Sequence, residues 1–137
     1  MSVVKELLRS EKDGSISFGD YSLSDKSKLE DFKHAGDLLK VKTFKEITRL
    51  EKNGSFLYES VPGTAVENFV ETADGISFTV EGPEDAMITV GLAEDSEYDV
   101  SVGGADSGRM KTNLGGKLAM SVELAGAGAV KVEIKKI

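Results

Sequence analysis

The stretch Leu118-Ala119-Met120-Ser121-Val122-Glu123-Leu124 carries an apolar side chain at every second position, with small or polar residues between. A period of two puts Leu118, Met120, Val122 and Leu124 on one face, the mark of a strand half-covered by a core. The same alternation runs through Tyr98, Val100 and Val102, with Asp99 and Ser101 between them, and through Val130, Val132 and Ile134, with Lys131, Glu133 and Lys135 between. Segments rich in residues that tolerate positive φ separate these runs: Gly103 to Gly108, Asn113 to Gly116 and Ala125 to Gly128. Upstream, Ile76, Phe78 and Val80 follow Asp74-Gly75, Ile88, Val90 and Leu92 follow Gly82-Pro83, and Val66 to Thr72 is a further candidate strand. About seven short strands at intervals of roughly ten residues predict an antiparallel β-sandwich over residues 61–137, immunoglobulin-like or fibronectin-like in kind. Lys131, Glu133, Lys135 and Lys136 read as charges guarding a terminal edge strand.

Residues 1–60 are less regular. Val3 to Arg9, Asp13-Gly14 and Ser15 to Tyr21 suggest a hairpin, although Val3, Val4, Leu7 and Leu8 also have helical spacing. Thr43-Phe44-Lys45-Glu46 matches a capping box, with Phe44, Ile47 and Leu50 at helical intervals and Asn53-Gly54 able to end a helix. Alternatively Asn53-Gly54 closes a hairpin between Ile47–Lys52 and Phe56–Val61. The hairpin is preferred because Phe56-Leu57-Tyr58 is strongly strand-forming and needs a neighbour to pair with. Ser22 to Asp31 is polar and reads as a loop. Sixty residues make a marginal core alone, so this β-rich part is expected to pack against the sandwich and share its core. The fold class is therefore all-β.

With 137 residues and 39% hydrophobic content, the chain can bury a core. It has no apolar run near the roughly 20 residues that span a bilayer and no secretory layout at its start, so a cytoplasmic location is expected. The absence of Cys removes disulfides, thiolate nucleophiles and Cys-based metal sites. The net charge of −7 opposes nucleic acid and anionic membranes as partners. That charge is segregated. From Asn53 to Gly108 there are twelve carboxylates and no Lys or Arg, whereas both flanks are basic by comparison. Lys40, Lys42, Lys45 and Arg49 stand in the most basic stretch; Glu84, Asp85, Glu94 and Asp95 sit at turn positions of the acidic one. The expectation is that the basic flanks dock against the acidic middle, within one chain or head-to-tail between chains.

Candidate chemistry is sparse. His34 is the lone histidine, no Gly-x-Ser-x-Gly elbow accompanies it, and one His cannot build a zinc site. Calcium takes oxygen ligands, which Glu84-Asp85 or Glu94-Asp95 with Glu97 can offer, but no EF-hand pattern is present. Gly115-Gly116-Lys117 lacks both the opening Gly and the closing Ser/Thr of a phosphate loop. No cofactor is expected, and the residues favour a non-enzymatic interaction or assembly module with an acidic surface, its partner a protein and one candidate being a second copy of the chain.

Two runs, Leu57-Tyr58-Glu59-Ser60-Val61-Pro62-Gly63-Thr64-Ala65-Val66 and Gly108-Arg109-Met110-Lys111-Thr112-Asn113-Leu114-Gly115-Gly116-Lys117-Leu118, resemble a group of short all-β bacterial proteins often labelled endosialidase. The resemblance implies an alternative, carbohydrate-active function: hydrolysis of polysialic acid or glycan binding. Tyr58, Glu59, Arg49 and Arg109 are the candidate glycan contacts under that reading. Sialidases grip their substrate with several arginines and display Trp-containing turns; this chain has Arg9, Arg49 and Arg109 and no Trp.

Overall fold

The computed structural model describes residues 3–137, and among them there are thirteen strands and no helix. In chain order these are β1 (Leu8–Ser10), β2 (Ile16–Phe18), β3 (Ser27–His34), β4 (Asp37–Phe44), β5 (Ile47–Lys52), β6 (Ser55–Val61) and β7 (Ala65–Thr72). The chain continues through β8 (Gly75–Glu81), β9 (Ala86–Gly91), β10 (Glu97–Val102), β11 (Ala105–Lys111), β12 (Lys117–Val122) and β13 (Val130–Lys136). One sheet has seven strands in the order β1-β2-β7-β8-β13-β10-β11, and the other has six in the order β12-β9-β6-β5-β4-β3. Every pairing is antiparallel. Neither sheet closes on itself, and the two form an antiparallel sandwich, as the strand periodicity predicts.

Both sheets mix strands from the two halves of the chain: β2 pairs with β7, and β6 with β9. Their inner faces share a core in which Tyr58 of the six-stranded sheet meets the edges of Phe18 (5.2 Å between ring centres), Phe69 (6.2 Å) and Phe78 (5.6 Å) of the other. Edge-to-face packing places the positive rim of one ring against the negative face of the next, adding about 0.5–1.5 kcal/mol per pair beyond the burial itself. Leu118, Met120 and Val122 all point inward, as their alternation requires.

Four local expectations need correction or are decided. Residues 43–61 form a hairpin, not a helix: Asn53 (φ 52°) and Gly54 (φ 81°) both take positive φ, the geometry of a type I′ turn. Ser22 to Asp31 is not all loop, because β3 starts at Ser27; a bulge that places Asp31 at φ 57° breaks the alternation between Leu29 and Phe32 and hides the strand. Gly103 to Gly108 is not all turn either, since β11 begins at Ala105 as a polar edge strand with no apolar face to reveal it. Finally, β13 is not an edge. It inserts between β8 and β10, and Lys131, Glu133 and Lys135 simply face outward while Val132 and Ile134 face the core.

Candidate functional site

The outer face of the six-stranded sheet carries the densest functional groups. On β4, Lys40 and Lys42 alternate with buried Leu39, Val41 and Thr43; on β5, Arg49 alternates with buried Thr48 and Leu50. The register then sets side chains in rows across the strands. One row reads Lys28, Lys42, Arg49, Glu59, Thr89, Ala119. A neighbouring row holds Glu30, Lys40, Glu51 and Phe56, with Lys40 3.5 Å from Glu30 and placed opposite Glu51. A third row is apolar: Phe44 opposite Ile47, and Val61 opposite Met87, the last two about half exposed. Lys28, Lys40, Lys42, Arg49 and Glu51 line a depression of about 300 Å³ on this face.

Arg49 is held from two sides, by Glu51 (3.2 Å) and Glu59 (3.4 Å), and lies over the Phe56 ring at 5.4 Å, which Lys117 approaches at 4.7 Å. Its Nε is near Glu51 but misaligned, and is a buried side-chain nitrogen without a hydrogen bond. Among the described residues no carboxylate is within ion-pairing distance of Lys28 or Lys42.

The eight residues expected to form one interaction surface are not all together. Lys40, Lys42 and Arg49 are, while Lys45 lies in the turn after β4. Glu84 and Asp85 precede β9 and Glu94 and Asp95 follow it, so the two acidic pairs sit at opposite ends of the sandwich. Asp85 has a structural duty: its Oδ1 accepts from the Leu124 and Ala125 amides at 3.0 and 3.1 Å. Asp95 pairs with Lys111 at 3.1 Å.

The glycan contacts are likewise dispersed. Arg49 and Glu59 are neighbours, but Arg109 belongs to edge strand β11 of the opposite sheet. Tyr58 must be withdrawn as a contact, because it is 0% exposed and its hydroxyl bonds to Thr64 Oγ1 at 2.8 Å. Burial raises the Tyr58 phenol far above its usual range, against a smaller lowering by its Thr64 and Ser60 bonds. His34 is fastened on both sides, Nδ1 to Ser10 Oγ at 2.8 Å and Nε2 to Gly14 O at 3.1 Å. With Nε2 donating to the carbonyl, Nδ1 accepts from Ser10; the third partner is a carbonyl, where a catalytic triad has a carboxylate. The ring ties β3 to the β1–β2 turn.

Sequence reasoning missed Lys28, Glu30, Glu51, Val61 and Met87. Lys28 and Glu30 lie in the stretch that reads as a loop, and the others acquire meaning only through cross-strand register. Among the described residues, no group of three His, Asp or Glu side chains is gathered to hold a metal, and no helix is long and apolar enough to cross a membrane. No family model, curated protein or solved structure matches the chain.

Proposed function

We propose that this protein is a non-enzymatic assembly module that docks a second copy of itself, head-to-tail, on the outer face of the six-stranded sheet. The observation that carries this reading is the juxtaposition on that face of an under-neutralised cation row and an exposed apolar row, Val61 and Met87. Apolar anchors beside complementary charge are what a protein interface needs for affinity and register respectively. The same chain carries the opposite charge at exposed Glu84 and Glu94, at the two ends of β9. A flat face on one copy and an acidic end on another are different surfaces, which makes the contact heterologous rather than two-fold.

Sedimentation equilibrium in low and high salt tests the proposal. The expected result is a mass above the monomer that rises with concentration at low ionic strength and falls towards the monomer in 1 M salt. A monomer at every concentration and salt level removes it.

A further inference from the structure

We propose that Lys28 and Lys42, backed by Arg49, form a binding site for a single carboxylate group presented by an acidic loop of another polypeptide. Two adjacent rows on one sheet face make the case. In the row of Glu30, Lys40 and Glu51, charge alternates in sign from strand to strand, so each side chain meets an opposite neighbour. In the next row, Lys28, Lys42 and Arg49 are directly opposite one another on three successive strands. Like charges in direct cross-strand register destabilise a sheet. Arg49 is relieved by Glu51 and Glu59, but among the described residues the two lysines have no carboxylate within ion-pairing distance. A protein of net charge −7 has carboxylates in abundance, yet those on this face pair with Lys40 and Arg49 rather than with Lys28 or Lys42. An unrelieved pair beside a row whose charges alternate in sign is what a partner supplied from outside would complete.

The balance of charge also selects the ligand. Lys28, Lys40, Lys42 and Arg49 face Glu30, Glu51 and Glu59, which leaves one positive charge in excess. One carboxylate completes the site; a phosphate dianion or a polyanion brings surplus negative charge against Glu51, which lines the same depression. A volume of about 300 Å³ accommodates an Asp or Glu side chain with its flanking backbone. The occupant assigned is the loop between β9 and β10, carrying Glu94, from a second copy. That assignment rests on the assembly reading, whereas the carboxylate site does not.

The test uses the full chain in low-salt buffer, titrated with sodium acetate and with a peptide of residues 92–99, followed by backbone amide chemical shifts. Saturable shifts confined to the neighbourhood of Lys28, Lys42 and Arg49 are expected with both probes. Lys42→Gln should weaken peptide binding on the order of tenfold, the loss of one charge-assisted contact. The same variant should raise Tm by about 1–3 °C in low salt, with no gain in 1 M NaCl, because it removes a repulsion. Lys28→Gln, at an exposed edge position, repeats both measurements should the first variant fold poorly. Diffuse, unsaturable shifts that ignore both substitutions, or a Tm that falls in both, overturn the site. Saturable acetate binding, with a peptide no better than its Gln-substituted version, keeps the carboxylate site and removes the β9–β10 loop as its occupant. A strict monomer that still binds acetate here removes the assembly and leaves the site standing.

Discussion

Thr64 is where a single hydroxyl serves the most buried groups. Its Oγ1 meets the Tyr58 hydroxyl at 2.8 Å and the Ser60 hydroxyl at 2.7 Å, its amide donates to Thr48 Oγ1, and Thr48 donates back to the Thr64 carbonyl. Thr43 continues the chain, joined to Thr48 and accepting from the Asp20 amide. All these hydroxyls are buried, so a partner removed is not replaced by water. Thr64→Val is expected to cost about 2–3 kcal/mol in urea unfolding by stranding the Tyr58 and Ser60 hydroxyls, and Tyr58→Phe only about 1 kcal/mol. A second residue-scale effect is acid sensitivity. Hydrogen bonds from Ser17 first and Arg9 second hold the Glu11 carboxyl below its ordinary range. A carboxyl depressed in the folded state stabilises above its unfolded pKa, and that contribution is lost as pH falls through the folded value. Glu11→Gln should therefore flatten the stability profile below about pH 4.5, the ordinary carboxyl range. Tyr58 shows why residue roles were only partly legible. A bulge in β6 sets Glu51 opposite Phe56 but Leu50 opposite Tyr58, so two residues that simple alternation places on one face point to opposite faces.

At the scale of elements, Asn53 does more than turn a hairpin. Its Oδ1 accepts from the Leu38 amide at 2.9 Å and its Nδ2 donates to Asp37 at 2.9 Å, pinning the start of β4 to the β5–β6 turn. Asn53→Ala removes both bonds and places an alanine at φ 52°, so a loss of about 1–2 kcal/mol in thermal or urea unfolding is expected. Asn53→Gly, which keeps the turn and loses the bonds, should fall between the two. Gly63 is constrained in another way: a Cβ there would lie 2.0 Å from the Phe44 carbonyl oxygen, where the crossing from β6 to β7 presses against the β4–β5 turn. Strands with a clean apolar face, such as β8, β10 and β12, were legible because periodicity is local. Edge strands β3 and β11 were not, since one is bulged and the other has no apolar face.

For the whole molecule, the segregation of charge along the sequence is largely undone by folding. Arg9 meets Glu67, Arg49 meets Glu59, Lys52 meets Glu71, Arg109 meets Glu97 and Lys111 meets Asp95, each joining a basic flank to the acidic middle. The intrachain form of the charge expectation is thus visible in the contacts. The Lys52–Glu71 pair, at 2.7 Å, spans from β5 in one sheet to β7 in the other, and its hydrogen bond raises the Lys52 ammonium above its ordinary value. Exposed pairs of this sort are worth about 0.2–1 kcal/mol each, too little to hold the sheets together, which falls to the shared core. The proposed assembly adds a prediction at this scale. Met87→Glu, on an outward position of β9, should leave Tm within about 2 °C of the parent and abolish the concentration-dependent mass, because it disturbs the docking face and not the core. Unchanged association in that variant moves the interface elsewhere.

The sequence by itself determined the fold class, the strands beyond residue 61 that carry a clean apolar face, and the candidate cations Lys40, Lys42 and Arg49; at Asn53-Gly54 it favoured a hairpin and left a helix end open. These follow from local rules: a period of two, residues that accept positive φ, and side-chain charge. Only the tertiary structure decided which strands are edges, that Tyr58 is buried, and that Lys28 stands opposite Lys42 and Lys42 opposite Arg49. The physical reason is that register and bulges are settled by how two sheets bury their apolar faces together, and a shift of one residue turns a side chain from solvent to core.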